Sequence, residues 1–298
     1  MKMKLALIPL LLMSLANQAC SKPAEALYDL AYGSMSEAQK LDLYLPEGSG
    51  PFPLLVFIHG GGWFSGDKQD TQEKPWLKLL SHGYAVASVN YRLSGDTPHP
   101  AGIQDCKAAI RYLRAHAGDF QIDPERIGVS GGSSGAHYAL MVATTLSIPE
   151  FDDLSIGYPD ISSEVKCCVS WYGGLDLPLI IKDAMGEGWD NSGAQFAIDN
   201  CSRYLGKRIT SPDDPALEEA SPIHYISPGM PPVLLQHGTN DQLAPYNQSV
   251  RFYEKAATIV QPERIEIDLL DGLSHADMRF GTDENMERVS AFLDKYLK

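Results

Sequence analysis

Residues 126–145 constrain the fold of this chain more than any other segment. The run Arg126-Ile127-Gly128-Val129-Ser130 leads directly into Gly131-Gly132-Ser133-Ser134-Gly135. A helical pattern follows through about Thr145, with Ala136, Ala139, Leu140 and Ala143 on one face. A G-x-S-x-G pentapeptide between strand and helix holds its central serine in a strained conformation, so the flanking residues must be small. Gly131 and Gly135 meet that need, and their spacing selects Ser133 over Ser134 as the candidate nucleophile. The helix N-terminus also points free N–H groups and partial positive charge at the serine oxygen. Alone, the pentapeptide also fits a plain glycine- and serine-rich loop, so its meaning depends on the rest of the chain.

Upstream, the strand-length apolar run of residues 53–58 (PLLVFI) ends in His59-Gly60-Gly61-Gly62-Trp63. Three consecutive glycines after a buried strand expose backbone N–H groups that no side chain shields, as an oxyanion hole requires. Gly61, Gly62 and the backbone N–H of Ser134 are the candidate donors.

A second pair of loops supplies an acid and a base. Residues 232–237 (PVLLQH) read as another buried strand, and Asp241 lies in the loop beyond its end, where α/β sheets place functional side chains. Residues 264–270 (RIEIDLL) alternate charged and apolar, as an edge strand does, and lead into Asp271-Gly272-Leu273-Ser274-His275. Of the eight histidines, His59 belongs to the glycine loop. His82, His99, His116, His137, His224 and His237 lie in helices, in loops or in the strand before Asp241. His275 alone occupies a post-strand loop downstream of the acid, which makes it the candidate general base. Asp271 is the rival to Asp241; Asp105 and Asp176 are expected to be a helix N-terminal charge and a loop residue. The order Ser133, Asp241, His275 is that of α/β-hydrolases and differs from the chymotrypsin and subtilisin orders.

Five separate blocks carry a wider resemblance: HGGGW at residues 59–63, Gly66-Asp67-Lys68, Ser88-Val89-Asn90-Tyr91-Arg92-Leu93, the helix of residues 105–114, and GGSSGAH at residues 131–137. Together, from about Asp42 to the C-terminus, they resemble the hormone-sensitive-lipase-like α/β-hydrolases, and within them bacterial secreted esterases of the feruloyl and acetyl-xylan type. Ser134 and Ala136 depart from the Ala and second Gly of many relatives, but both are small and preserve the turn. The resemblance implies hydrolysis of short-acyl carboxylic esters, carbohydrate-linked ones among them, through an acyl-serine, with no metal and no organic cofactor. An amidase such as a formamidase and a non-catalytic hydrolase scaffold acting in binding are the alternatives; the scaffold is disfavoured because all three triad candidates are present.

The chain of 298 residues, 44% hydrophobic, suits one α/β-hydrolase domain over residues 24–298, a mostly parallel central sheet with helices on both faces. Residues 173–230 read as a small lid insertion. Its Asp183, Glu187, Asp190, Asp199 and Asp213 interrupt any long apolar face, so a lid opening onto lipid is not expected. Trp63, Tyr172 and Trp189 are aromatic candidates for the substrate wall or, equally, for the core. The net charge of −14 argues against a nucleic-acid partner. At the N-terminus, Lys2 and Lys4 precede an apolar run from Leu5 to Leu15, the pattern of an exported chain's signal peptide over residues 1–19. Cleavage after residue 16 and acylation of Cys20 after residue 19 are the two routes, and only the second brings a membrane partner. Export opens disulfide pairing to Cys106, Cys167, Cys168 and Cys201, with buried free thiols as the default. Oligomeric state is open.

Overall fold

Fully apolar strands separated by amphipathic helices leave a chain one economical arrangement: a parallel sheet covered on both faces. The computed structural model describes residues 23–185 and 192–298, so the expected signal peptide and Cys20 lie outside the described residues. In chain order the elements are β1 (Glu25–Ala31), β2 (Lys40–Leu45), β3 (Phe52–Ile58), α1 (Lys74–Leu77), β4 (Ala85–Val89), α2 (Ala101–Ala115), β5 (Ile122–Gly132) and α3 (Ser134–Thr144). They continue as β6 (Cys168–Trp171), α4 (Leu177–Met185), α5 (Ser192–Leu205), α6 (Pro215–Glu219), β7 (Val233–Gly238), α7 (Asn247–Ala257), β8 (Ile265–Leu270) and α8 (Asp283–Leu297).

The eight strands form one sheet in the order β1-β2-β4-β3-β5-β6-β7-β8. β2 pairs antiparallel with both β1 and β4, and the remaining neighbours from β4 to β8 pair in parallel. This is the α/β-hydrolase fold. β8 is the edge strand its alternating sequence suggests.

Side chains alternate across a strand, so each parallel strand feeds two cores. On β3, Leu54, Val56 and Ile58 join the core that holds Ile103 and Leu113 of α2, Leu140 of α3 and Phe252 of α7. Leu55 and Phe57 join the opposite core with Trp76 of α1 and Val289, Phe292 and Leu293 of α8. Cys167 and Cys168 divide between the two cores in the same way. All four described cysteines are free and buried.

The helix α3 packs on the sheet as expected and is buried over its whole length, because α2 and the turn at Pro222–Tyr225 cover what the sheet leaves open. One expectation changes. Asp105 is not an N-terminal charge. It lies a full turn inside α2, wholly buried, and its carboxylate takes Arg92 Nε and Nη2, the Arg92 backbone N–H and Gln39 Nε2, all within 3.1 Å. Removing one member of such a buried pair costs about 3–5 kcal/mol, since the other charge is left without its partner. Asp176 caps α4, accepting the Leu179 N–H at 3.1 Å.

Chain topology decides where a site can form. The chain passes from β3 to β4 on one side, then returns to lay β5 on the other. At that reversal the loops beyond the strands' carboxyl ends diverge and leave a crevice. The glycine loop follows β3 and Ser133 follows β5, so both face it.

Candidate active site

Ser133 stands between β5 and α3 with φ 57° and ψ −122°, a conformation that costs a non-glycine residue about 1–3 kcal/mol. The surroundings hold it there: its N–H donates to the Trp171 carbonyl at 2.9 Å, and its own carbonyl accepts the His137 N–H at 3.1 Å. Close packing explains the flanking glycines. A Cβ on Gly135 would lie 2.1 Å from the Ile58 carbonyl oxygen, and one on Gly131 2.3 Å from the Gly135 backbone.

The three candidates that the chain separates are brought together. His275 Nε2 lies 2.9 Å from Ser133 Oγ, and His275 Nδ1 lies 2.8 Å from Asp241 Oδ2. Asp241 Oδ1 accepts the backbone N–H groups of Leu243 and Ala244, each at 2.9 Å. Burial works to raise the Asp241 carboxyl, but hydrogen bonds from His237 and His275 outweigh it and hold the group well below the usual carboxylate range. The rival Asp271 is exposed and turned away, facing Thr239 Oγ1 at 3.2 Å.

Sequence reasoning passed over His237, because a strand residue among apolar neighbours reads as packing. Its Nε2 lies 3.2 Å from the same Asp241 Oδ2 and 2.7 Å from the Ala244 carbonyl. The signal that could have found it is its place on β7, four residues before the acid.

Above Ser133 the glycine loop turns back over the candidate nucleophile. Gly61 has φ +119°, and a Cβ there would sit 2.1 Å from the Ser65 carbonyl oxygen, so no other residue fits. Among the described residues no hydrogen bond engages the N–H of Gly61, Gly62 or Ser134, and all three residues line the cavity that Ser133 and His275 share. The Gly60 N–H is instead fixed by Gln72 Oε1 at 3.1 Å. The blocks Gly66-Asp67-Lys68 and Asn90 brace the loop from behind: Asn90 Oδ1 accepts the Lys68 N–H at 2.6 Å, and Asn90 Nδ2 donates to Asp67 at 2.8 Å. Lys68 Nζ closes the brace on Asp42 at 2.8 Å and Asp29 at 3.0 Å.

Of the aromatic candidates, Trp63 and Tyr172 line the cavity, while Trp189 lies outside the described residues. Trp63 is core as well as wall. It stacks on Tyr204 with ring centres 4.6 Å apart and donates its Nε1–H to His137 Nδ1 at 3.2 Å. His137 Nε2 donates in turn to the Ala220 carbonyl at 2.7 Å, and burial brings the His137 pKa down to about 3, so the ring stays neutral and Nδ1 remains an acceptor. Tyr172 packs edge-on against the His275 ring at 4.9 Å.

The cavity measures about 330 Å³. Ile180 of α4 and Phe196, Ala197, Asn200 and Cys201 of α5 form one wall, and Leu243, Ala244 and Ala276 from the acid and base loops form another. Phe196 and Leu243 are 48% and 46% exposed, which makes them an apolar rim open to solvent. Among the described residues no group of three or more His, Cys, Asp or Glu side chains is arranged to hold a metal ion.

Comparison with known proteins agrees with this architecture. The BD-FAE family profile matches residues 41–256. The esterase LipQ of Mycobacterium tuberculosis is 30% identical over 228 residues, covering 75% of this chain and 51% of that protein. The chain spans about half the length of the curated relatives it matches first. Among solved structures, a truncated carbohydrate esterase from gut microbiota superposes with a TM-score of 0.80 at 26% identity, covering 92% of this chain and 99% of that one. A bifunctional GH43-CE protein of Bacteroides eggerthii superposes with a TM-score of 0.79 at 30% identity, covering 91% of this chain and 35% of that one. With a nucleophile turn, glycine loop and acid–base pair on this sheet, and the profile spanning most of its length, the chain belongs to the BD-FAE family of hormone-sensitive-lipase-like α/β-hydrolases.

Proposed function

We propose that the protein is a serine carboxylesterase. The observation that carries this reading is the unbroken chain of contacts Ser133 Oγ, His275 Nε2, His275 Nδ1, Asp241 Oδ2, at 2.9 and 2.8 Å, on a cavity lined by Gly61 and Gly62. His275, oriented by Asp241, takes the Ser133 proton as the oxygen attacks the ester carbonyl. The N–H groups of Gly61, Gly62 and Ser134 stabilise the oxyanion, and His275 returns the proton to the departing alcohol. Water, deprotonated by His275, then releases the acid from Ser133.

The preferred substrates are short-acyl esters, with carbohydrate-linked alcohols the favoured class. The names of the two structural relatives support the carbohydrate-linked class, and the charged residues that interrupt the insertion between β6 and β7 support short acyl groups over lipid. Export from the cytoplasm, argued from the basic and apolar N-terminal pattern, would bring the enzyme to such substrates. Hydrolysis of p-nitrophenyl acetate by the wild type and its loss in Ser133→Ala tests the assignment. An active Ser133→Ala with an inactive Ser134→Ala would move the nucleophile by one residue. A panel of acetylated xylan, feruloylated sugars and formyl amides separates the substrate classes.

A further inference from the structure

Asp241 carries two imidazoles on one oxygen. Besides His275, the wholly buried His237 directs Nε2 at Oδ2 from 3.2 Å and at the Ala244 carbonyl from 2.7 Å. A ring nitrogen facing two acceptors must carry its proton, so Nε2 is a donor. Nδ1 lies 2.7 Å from the hydroxyl of the buried Ser249 of α7, which can donate to it. A neutral His237 therefore satisfies every partner it has. Through Ala244 it also fixes the turn whose N–H groups hold Asp241 Oδ1.

We propose that His237 is a positioning residue for the acid–base pair, which fixes the Asp241 carboxylate and draws part of the Oδ2 charge away from His275. A hydrogen bond donated to a carboxylate disperses its charge and lowers its value as a partner for a second cation. His237 thus sets how strongly Asp241 stabilises the imidazolium form of His275, and with it the pH above which His275 acts as a base. Other groups facing the pair are few. From β6, the Tyr172 ring packs on His275, its hydroxyl pushed up by burial and by the Asp241 charge, and so neutral. On the His275 loop, Asp277 and Arg279 neutralise each other at 2.7 Å, and Asp271 faces Thr239.

The catalytic form of this inference rests on the esterase assignment, so its test has an arm that does not. In the intact protein, an NMR titration of the imidazole nitrogens should show His237 neutral with its proton on Nε2 throughout, and its Nε2–H signal should move at the midpoint of His275, because both share Oδ2. A His237 that titrates as a cation, or ignores the His275 midpoint, overturns the proposal whether or not the protein hydrolyses esters. In the kinetic arm, His237→Phe should move the acid limb of kcat/KM upward by about one pH unit, about 1.4 kcal/mol of imidazolium stabilisation. His237→Gln, whose amide can still donate, should return the limb most of the way to the wild-type position. An unmoved limb in His237→Phe, with only thermal stability lost, would make His237 structural and sink the proposal. Failure of the esterase assignment itself appears separately, as an inactive wild type.

Discussion

Replacing Asp241 by Asn tests the site where its wiring is least forgiving. Asp241 Oδ1 accepts two backbone N–H groups, from Leu243 and Ala244, each at 2.9 Å. Both oxygens face two donors, but the backbone N–H groups at Oδ1 cannot give up their role whereas the imidazoles at Oδ2 can move a proton, so an Asn carboxamide places its single oxygen at the Oδ1 position. The NH₂ is then forced to the Oδ2 position, 2.8 Å from His275 Nδ1. A donor at that point demands an acceptor on His275, so the proton moves to Nε2, the nitrogen that faces Ser133 Oγ at 2.9 Å. A protonated Nε2 cannot take the serine proton. The same substitution in a serine protease triad costs about 10⁴ in kcat, equivalent to about 5 kcal/mol of barrier. The expected result is a kcat on p-nitrophenyl acetate about 10⁴ below wild type, with KM little changed and the far-ultraviolet circular dichroism retained. Asp271→Asn, altering an exposed group, should leave kcat near the wild-type value. A fall of less than tenfold in Asp241→Asn, or the larger loss in Asp271→Asn, would refute the argument.

Three further outcomes follow from the geometry. Gly61→Ala places a methyl 2.1 Å from the Ser65 carbonyl oxygen at φ +119°, displacing an oxyanion donor; kcat should fall about 10²–10³-fold while KM holds, and an unchanged kcat would remove Gly61 from that role. Lys107 is wholly buried, its Nζ donating to the Thr145 carbonyl at 2.6 Å, and burial together with the Arg111 charge brings its pKa down to about 7. Between that value and the ordinary lysine pKa the unfolded chain binds a proton the fold does not, so stability rises with pH across this window, by at most about 1.4 kcal/mol per pH unit. Thermal melts of Lys107→Met should lack this part of the pH slope, and identical slopes would show that Lys107 stays charged in the fold. Activity across acyl lengths should fall from acetyl or butyryl toward dodecanoyl esters in kcat/KM; a rise with length, or activation at an emulsion interface, would contradict the short-acyl assignment.

The framework of the site was legible because each element of it follows an apolar run whose end the sheet fixes. Residues 53–58, 126–130 and 232–237 announce central strands, and the loops beyond them can lie only at one edge of the sheet. A mostly parallel sheet with helices on both faces could be expected from the same runs, but the order of its strands could not. What escaped depends on contacts that no local pattern encodes. Trp63 and His137 meet across 74 residues, and Gly60 and Gln72 across 12, so a residue read as substrate wall proves also to be tied to the nucleophile helix. Asp105 was misassigned because its partners, Arg92 and Gln39, arrive from other segments and turn an apparent helix-end charge into a buried pair. The cavity wall that includes Phe196 was equally hidden, since the helices between β6 and β7 follow no fixed pattern in sequence.

The central claim is that Ser133 carries the acyl group. Rapid acid quenching during turnover of a slowly deacylated ester, followed by peptide mapping by mass spectrometry, measures this directly. The account predicts a single acyl adduct on Ser133 that is absent from Ser133→Ala. Turnover with the adduct on Ser134, or with no covalent adduct under conditions where hydrolysis outlasts the burst, would contradict it.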